Sequence, residues 1–293
     1  MSNGSRSTRL GILLSVVRYE ERRLLAELAD RGVPADRLDP RFLSFGPEEA
    51  ERLRGMTVLN REIATQRALL MAETLEELGA FPVNDSSSSR ICCNKWSTYL
   101  RLREHRIPTP TTLLAPSLEA GMQAIEWIGY PAVIKPLGSS WGKRVSLITD
   151  RYAAEAVLEH CAELPSAVMR TVIVQEAIQP GTPDIRGIVV DGDFLGAILR
   201  SGTDWRNNVA RGAAVQPLAP NDEVRRLCVE AAVAVGAKVA SVDLVQCVNG
   251  DYLVLEVNSR MEFQGFEGAI GIDVAAKIVD LCVAETTYVK ELV

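Results

Sequence analysis

The chain has 293 residues, enough for about two domains, or one elaborate one, around a sizeable core. Apolar residues make up 47% and charged residues 24%, the balance of a soluble globular protein, and no apolar run approaches the roughly 18 residues of a membrane span. A net charge of −6 argues against nucleic acid as the main partner.

Met1 to Thr8 is polar and reads as a loose tail. Leu10 to Val17 follows Arg6 and Arg9 and could mimic a secretory signal. It runs instead into Arg18-Tyr19-Glu20-Glu21 with no small-residue cleavage site, so it reads as a first strand. Glu20 to Arg31 has helical periodicity and stops at Gly32; Met56 to Asn60 is a short strand; Ile63 to Leu78 is a helix stopped by Gly79; Phe81 to Asn84 is a further strand. This alternation predicts a small parallel α/β domain over residues 1–90. Ser86 to Ser89 reads as a polar loop at its boundary.

Residues 91–107 read as one helix carrying Lys95, ended by Pro108 and Pro110, and Ser117 to Ile128 as another, closed by Gly129. Tyr130 to Pro136 is a strand with Lys135 near its end, followed by a loop, Gly138 to Arg144, and a strand from Val145 to Ile148. Residues 151–163 form a helix expected to turn Ala153, Ala156, Val157 and Leu158 inward. Thr171 to Ile178 is a strand, and Gly187 to Val190 with Phe194 to Leu199 flank the hairpin signal Asp191-Gly192-Asp193. Residues 221–235 are helical up to Gly236. Two apolar strands, Ala240 to Val245 and Tyr252 to Val257, flank the turn Asn249-Gly250-Asp251, and a last helix covers Asp273 to Val283. No internal repeat is visible. The six cysteines lack metal-ligand spacing and read as reduced thiols of a cytosolic protein.

Three features carry chemistry. Asp243 lies inside one of the last two apolar strands and Glu256 inside the other; Asn258, two residues on, shares the Glu256 face. Laid side by side, these strands converge three hard oxygen donors suited to Mg²⁺. The bland reading, a salt-bridged strand acid and a capping acid, is equally open. Next, Lys135 precedes Ser139, Ser140, Trp141, Gly142 and Lys143. Backbone N–H groups of such a loop can cradle phosphate, although Gly-Ser turns are common and no P-loop spacing exists. Finally, Arg200, Arg206, Asn208 and Arg211 fall within twelve residues and can clamp carboxylates or a transferring phosphoryl group. Gln175-Glu176 suits either an adenine-binding strand edge or, more simply, an edge strand with one exposed acid. Asp184 and Arg186 read as a structural ion pair.

Taken together in this order, the motifs resemble the ATP-grasp ligases, within them the RimK-like group, and most closely the LysX-type amino acid–carrier (LysW) ligases. The stretches that carry the likeness are 94–102, 131–143, 174–186, 207–213 and 255–263. The resemblance implies an α/β ATP-grasp fold with three parts: an N-terminal domain (1–90), a central lobe with the Gly/Ser loop (91–170) and a C-terminal lobe with metal and substrate sites (171–293). It implies ATP held by Lys95, Lys135, the 139–143 loop, Gln175, Glu176, Ala177, Asp184, Arg186 and Asn208. It implies Mg²⁺ on Asp243, Glu256 and Asn258, with Arg200 and Arg211 facing the acyl phosphate or substrate carboxylates. Gly212, Glu262, Phe263, Gln264, Gly265 and Phe266 would line the amino-acid site. The implied partners are a small acidic carrier ending in Glu and a free amino acid; a cytoplasmic homo-oligomer, dimer or tetramer, is also implied. Glutamate is expected over 2-aminoadipate because the segment Gly265 to Ala269 resembles the form that glutamate enzymes carry; the Phe266 ring would fill the space of the extra methylene, unless it belongs to the core, and Ala269 lacks a hydroxyl that could hold a more distant carboxylate. Alternatives are a glutamate ligase acting on a ribosomal protein or peptide, and a non-catalytic ATP-binding module. Ala213, in place of a second glycine, and Ser259-Arg260 depart from the family pattern.

Overall fold

The N-terminal alternation of apolar strands and amphipathic helices folds as a parallel layer. The computed structural model describes residues 9–138, 143–202, 205, 207 and 212–292. Its first unit comprises β1 (Leu10–Leu13), α1 (Tyr19–Asp30), β2 (Ala35–Leu38), α2 (Pro47–Leu53), β3 (Thr57–Asn60), α3 (Thr65–Glu77) and β4 (Phe81–Val83). The strands run parallel in the order β2-β1-β3-β4. Two of these elements escape the sequence reading. β2 is a largely polar edge strand. α2 begins with Pro47 in its first turn, beside Glu48 and Glu49, a start signal that the polar surroundings masked.

The Ser86–Ser89 stretch is not a loop. It opens α4 (Ser86–Cys92), because the Asp85 carboxylate accepts a hydrogen bond from the Ser88 N–H at 2.7 Å and so caps the helix. The helix expected over 91–107 is likewise two elements. Asn94 accepts from the N–H groups of Trp96 (3.0 Å) and Ser97 (3.2 Å), starting α5 (Lys95–Glu104) with Lys95 in its first turn.

The central lobe contains β5 (Thr112–Ala115), α6 (Leu118–Ile128), β6 (Ala132–Pro136), β7 (Ser146–Ile148), α7 (Arg151–Ala162), α8 (Ala167–Arg170) and β8 (Val172–Glu176). Its antiparallel sheet has the order β5-β8-β6-β7. β8 therefore belongs to this lobe, and the division expected at 171 falls after Glu176. On α7 the buried residues are Ala154 and Leu158, whereas Ala156 is exposed; the inner face is rotated from the expected one. Gly121 of α6 permits this contact, since a Cβ there would sit 2.6 Å from Leu158 Cδ2.

The C-terminal lobe contains β9 (Asp184–Val190), β10 (Asp193–Ser201), β11 (Ala214–Leu218), α9 (Asp222–Ala234), β12 (Val239–Gln246), β13 (Tyr252–Asn258), α10 (Gln264–Ile270) and α11 (Val274–Leu292). Its antiparallel sheet has the order β11-β10-β9-β12-β13. One apolar core joins this lobe to the first: Leu10, Ile12, Leu24 and Leu28 pack with Phe263, Phe266, Val274 and Ile278. The segment after β13 is tied to α1 and β3 as well. Glu20 Oε1 accepts from the N–H groups of Phe263 (3.1 Å) and Gln264 (3.2 Å), and Arg61 donates to the Met261 carbonyl (3.1 Å).

Candidate active site

The β12–β13 hairpin brings the expected metal donors together. Asp243 lies opposite Glu256 and Ser241 opposite Asn258, with a bulge after Asp243. Asn258 donates to Glu256 Oε1 at 3.0 Å. Neither carboxylate is bare. Arg186 grips Asp243 with two bonds of 2.7 Å, and Arg200 reaches it at 3.1 Å. Lys95 pairs with Glu256 at 2.7 Å. Burial alone would raise the Asp243 carboxyl, but the Arg186 and Arg200 guanidinia hold it well below the usual carboxylate range. Burial likewise opposes ionisation of Glu256, and Lys95 overcomes it, so its pKa too is depressed. Two ionised carboxylates and an amide within one hairpin fit a hard divalent cation. Among the described residues no group of three His, Cys, Asp or Glu side chains could hold a metal ion, and Asn258 offers an amide oxygen beside the two carboxylates.

Asp184 and Arg186 do not pair with each other. Asp184 binds Arg200 through two bonds of 2.6 and 2.9 Å, leaving Arg186 to Asp243. The residues alternate along β9, and Arg200 stands opposite Asp184 on β10. Burial pushes the Asp184 carboxyl up to about 6, against the pull of Arg200. Arg200 is itself 2% exposed, and its two carboxylates outweigh burial to raise its pKa.

A cavity of about 170 Å³ opens between the central and C-terminal sheets. Val133, Val145, Ile178, Val245 and Leu255 supply apolar walls, and Lys95, Lys135, Asp184, Arg200, Asp243 and Glu256 supply charge. Lys135 donates to Gln175 Oε1 at 2.6 Å, and Gln175 in turn donates to Thr112 Oγ1 at 2.8 Å. Burial, with Lys95 nearby, lowers the Lys135 pKa to about 8. Gln175 thus orients the lysine. Glu176 is not exposed to solvent as a free acid: its Oε1 accepts from the Thr111 N–H (2.8 Å), and its own N–H donates to the Thr111 carbonyl (3.0 Å). Ala177 follows at the cavity wall, beyond the end of the strand. Asn207 lines the same space, bridging the Gly202 N–H (2.7 Å) and the Thr182 carbonyl (2.6 Å).

A second cavity, of about 130 Å³, lies between the N-terminal sheet and the C-terminal lobe. Arg18, Arg61 and Glu62 line it from the first unit; Arg186, Arg200, Ser241, Asn258, Arg260 and Glu262 line it from the other side. Lys95, Arg200 and Glu256 belong to both cavities. The sequence reading missed Arg18, Arg61, Glu62 and Asn207. For Arg18 and Arg61 a signal existed: they follow the carboxyl ends of β1 and β3, where parallel sheets place ligands.

Residues 262–266 divide. Glu262 lines the second cavity and pairs with Arg18 at 2.7 Å. Phe263 (0% exposed) and Phe266 (1%) are core residues, and the Phe266 ring packs against the Gly196 backbone. The expectation that Phe266 bounds the substrate side chain is therefore corrected, because the first turn of α10 rolls that ring beneath β10. Gln264 is exposed, Gly265 faces Val215, and neither lines either of these two cavities. Lys143 is exposed in a turn, and Gly212 has φ +88°. Ser139, Ser140, Trp141, Gly142, Asn208 and Arg211 lie outside the described residues.

A family model for the RimK-like ATP-grasp domain matches residues 92–282, and one for the LysX preATP-grasp domain matches residues 10–91. The protein belongs to the RimK-like ATP-grasp family. It is an ATP-grasp carboxylate–amine ligase. The ligase is 31% identical over 287 residues to the glutamate–LysW ligase ArgX of Sulfurisphaera tokodaii, covering 97% of this chain and 98% of that one. It is 29% identical to the α-aminoadipate–LysW ligase LysX of Sulfolobus acidocaldarius, over 85% of this chain and 91% of that one. Among solved structures, a RimK domain ATP-grasp protein from Sphaerobacter thermophilus superimposes with a TM-score of 0.75 at 27% identity, covering 93% and 98% of the two chains. The D-alanine–D-alanine ligase of Bacillus anthracis, at 19% identity and TM-score 0.72 over 98% and 99%, shares the fold. No helix among the described residues of the ligase is long and apolar enough to cross a membrane.

Proposed function

We propose that the ligase joins the amine of L-glutamate to the C-terminal glutamate carboxylate of a small acidic carrier protein of the LysW type. The observation that carries this reading is the wall of Lys95, Arg200 and Glu256 shared by two cavities. One cavity has the apolar faces and lysines that suit a nucleotide. The other is rich in cations and suits a carboxylate terminus and an acidic amino acid. The glutamate–LysW ligases that match nearly the whole chain support both the carrier and the choice of glutamate over 2-aminoadipate. The Phe266 ring, a core residue, no longer supports that choice.

The reaction passes the γ-phosphoryl group of ATP to the carrier carboxylate, forming an acyl phosphate and ADP. The glutamate amine then attacks the acyl carbon, an amide bond forms and phosphate leaves. Bound Mg²⁺ supplies positive charge opposite the phosphate oxygens, and Asp243, Glu256 and Asn258 would hold it. Lys135, fixed by Gln175, and Lys95 neutralise phosphate charge. Arg200, anchored on Asp184 and Asp243, presents a buried guanidinium where both cavities meet. Arg211, Asn208 and the 139–142 loop are assigned to the same phosphate and carboxylate chemistry. The route needs no protein nucleophile; positioning and charge neutralisation carry the rate. Six free cysteines accord with a cytoplasmic setting.

The test is isotopic. With ¹⁸O in the carrier's terminal carboxylate, label is expected in the released phosphate. Label in AMP, with pyrophosphate released, would exclude the acyl-phosphate route. Substituting a glutamate-ended ribosomal peptide for the carrier separates the narrower alternative, since ADP release should then stop.

A further inference from the structure

Among the described residues, six cations line the second cavity: Arg18, Arg61, Lys95, Arg186, Arg200 and Arg260. Five are matched within the protein. Glu21 pairs with Arg18 (3.1 Å) and Arg61 (3.0 Å), Glu256 with Lys95 (2.7 Å), and Asp243 with Arg186 (2.7 Å). Asp184 and Asp243 share Arg200, at 2.6 and 3.1 Å. Arg260 has no hydrogen-bond or ion-pair partner among the described residues, although it is only partly accessible. Holding a guanidinium away from water with only the Glu62 carboxylate, to which it is not bonded, as counter-charge is costly.

The same wall contains a second mismatch. Glu62 is fully buried, and its Oε1 accepts from the Ala64 N–H and from Arg67, both at 2.8 Å, while Oε2 has no partner. Ser241 Oγ is also buried and unpartnered. One unmatched positive charge and unmatched oxygen acceptors in one small cavity ask for a ligand with a carboxylate and N–H donors. A free amino acid has both. Arg260 and Glu62 line only this cavity, not the nucleotide space, so Arg260 lies on the side that suits a carboxylate taking no part in the reaction.

We propose that Arg260 is a specificity-determining residue that binds a non-reacting carboxylate of the amino-acid substrate, with Glu62 and Ser241 accepting from its ammonium. The inference rests on the ligase reading above, but it can be measured without the carrier. Thermal unfolding of the full chain, with Mg²⁺ and a non-hydrolysable ATP analogue, is followed with and without L-glutamate. L-Glutamate should stabilise the wild type, and glutarate, which lacks the amine, should stabilise it less. Arg260→Met should abolish the glutamate shift and raise the KM for glutamate by about tenfold or more, with the KM for ATP and carrier within about twofold. Arg260→Lys, keeping the charge, should recover part of that loss. Without ligand, Arg260→Met should unfold no lower than wild type, because it removes a largely buried charge with no direct partner. Three results would overturn the assignment. One is a wild type insensitive to glutamate. Another is an Arg260→Met variant with unchanged glutamate response, or with the loss falling on the carrier KM. The third is ligand-free destabilisation shared by Arg260→Met and Arg260→Gln, which marks a structural role. Failure of the ligase reading looks different: the wild type would still respond to glutamate but release no ADP with glutamate and carrier.

Discussion

The two cavities meet at one wall yet are built differently. The cavity proposed for the nucleotide lies between two antiparallel sheets and mixes apolar faces with Lys135, held by the neutral Gln175, and Lys95, paired with Glu256. The second cavity lies between the parallel sheet and the C-terminal lobe and is lined mainly by charge, most of it already paired. The first is shaped to enclose a flat, partly apolar ligand. The second is an electrostatic mould in which each unpaired group marks what the ligand must bring. The difference shows why the residues on the shared wall should be the most damaging to change.

Arg200→Met is the most severe way to break that arrangement. It leaves Asp184 and Asp243 buried without their common cation, and urea denaturation should show a loss of about 3–5 kcal/mol. Glu256→Gln, on the same wall, should lower carrier-dependent ADP release by on the order of 10²–10³-fold. It should leave the circular-dichroism spectrum native, since shape is kept; near-normal turnover in saturating Mg²⁺-ATP would remove Glu256 from the metal set.

Lys135→Met touches only the nucleotide side. Calorimetry should show ATP affinity reduced by about tenfold or more, with glutamate binding unchanged. The same lysine should make wild-type ATP affinity fall as pH rises through about 8, because the charged form is lost there. The stability sign is opposite. The unfolded chain holds this proton up to its ordinary value of 10.5, so between about 8 and 10.5 the unfolded state binds more protons and this group's contribution to stability rises with pH. The smallest effect belongs to neither cavity. Phe266→Leu should cost about 1 kcal/mol of stability and leave the ratio of glutamate to 2-aminoadipate use unchanged, as befits a core ring.

Much of this was legible in residue order. The β12–β13 hairpin and the convergence of Asp243, Glu256 and Asn258 follow from two apolar runs and a turn, because strand periodicity of two is a local property. Lys135 near the end of a short apolar strand was legible for the same reason. The capped helix at Ser86 was obscured by its polar composition, although Asp85 was there to be read as a cap. The Phe266 assignment failed because a helix turn decides which way a ring points, and a run of residues after a strand does not reveal that turn.

The sequence by itself determined the order of elements, the donor types and the family, since periodicity, capping chemistry and motif order are carried by neighbouring residues. Only the tertiary structure decided which charges are neutralised. Arg186 takes Asp243 rather than its neighbour Asp184, Arg200 takes both acids, and Arg260 takes none of the described ones. Ion pairing depends on distances between strands and lobes far apart in the chain, and those are set by how the sheets pack.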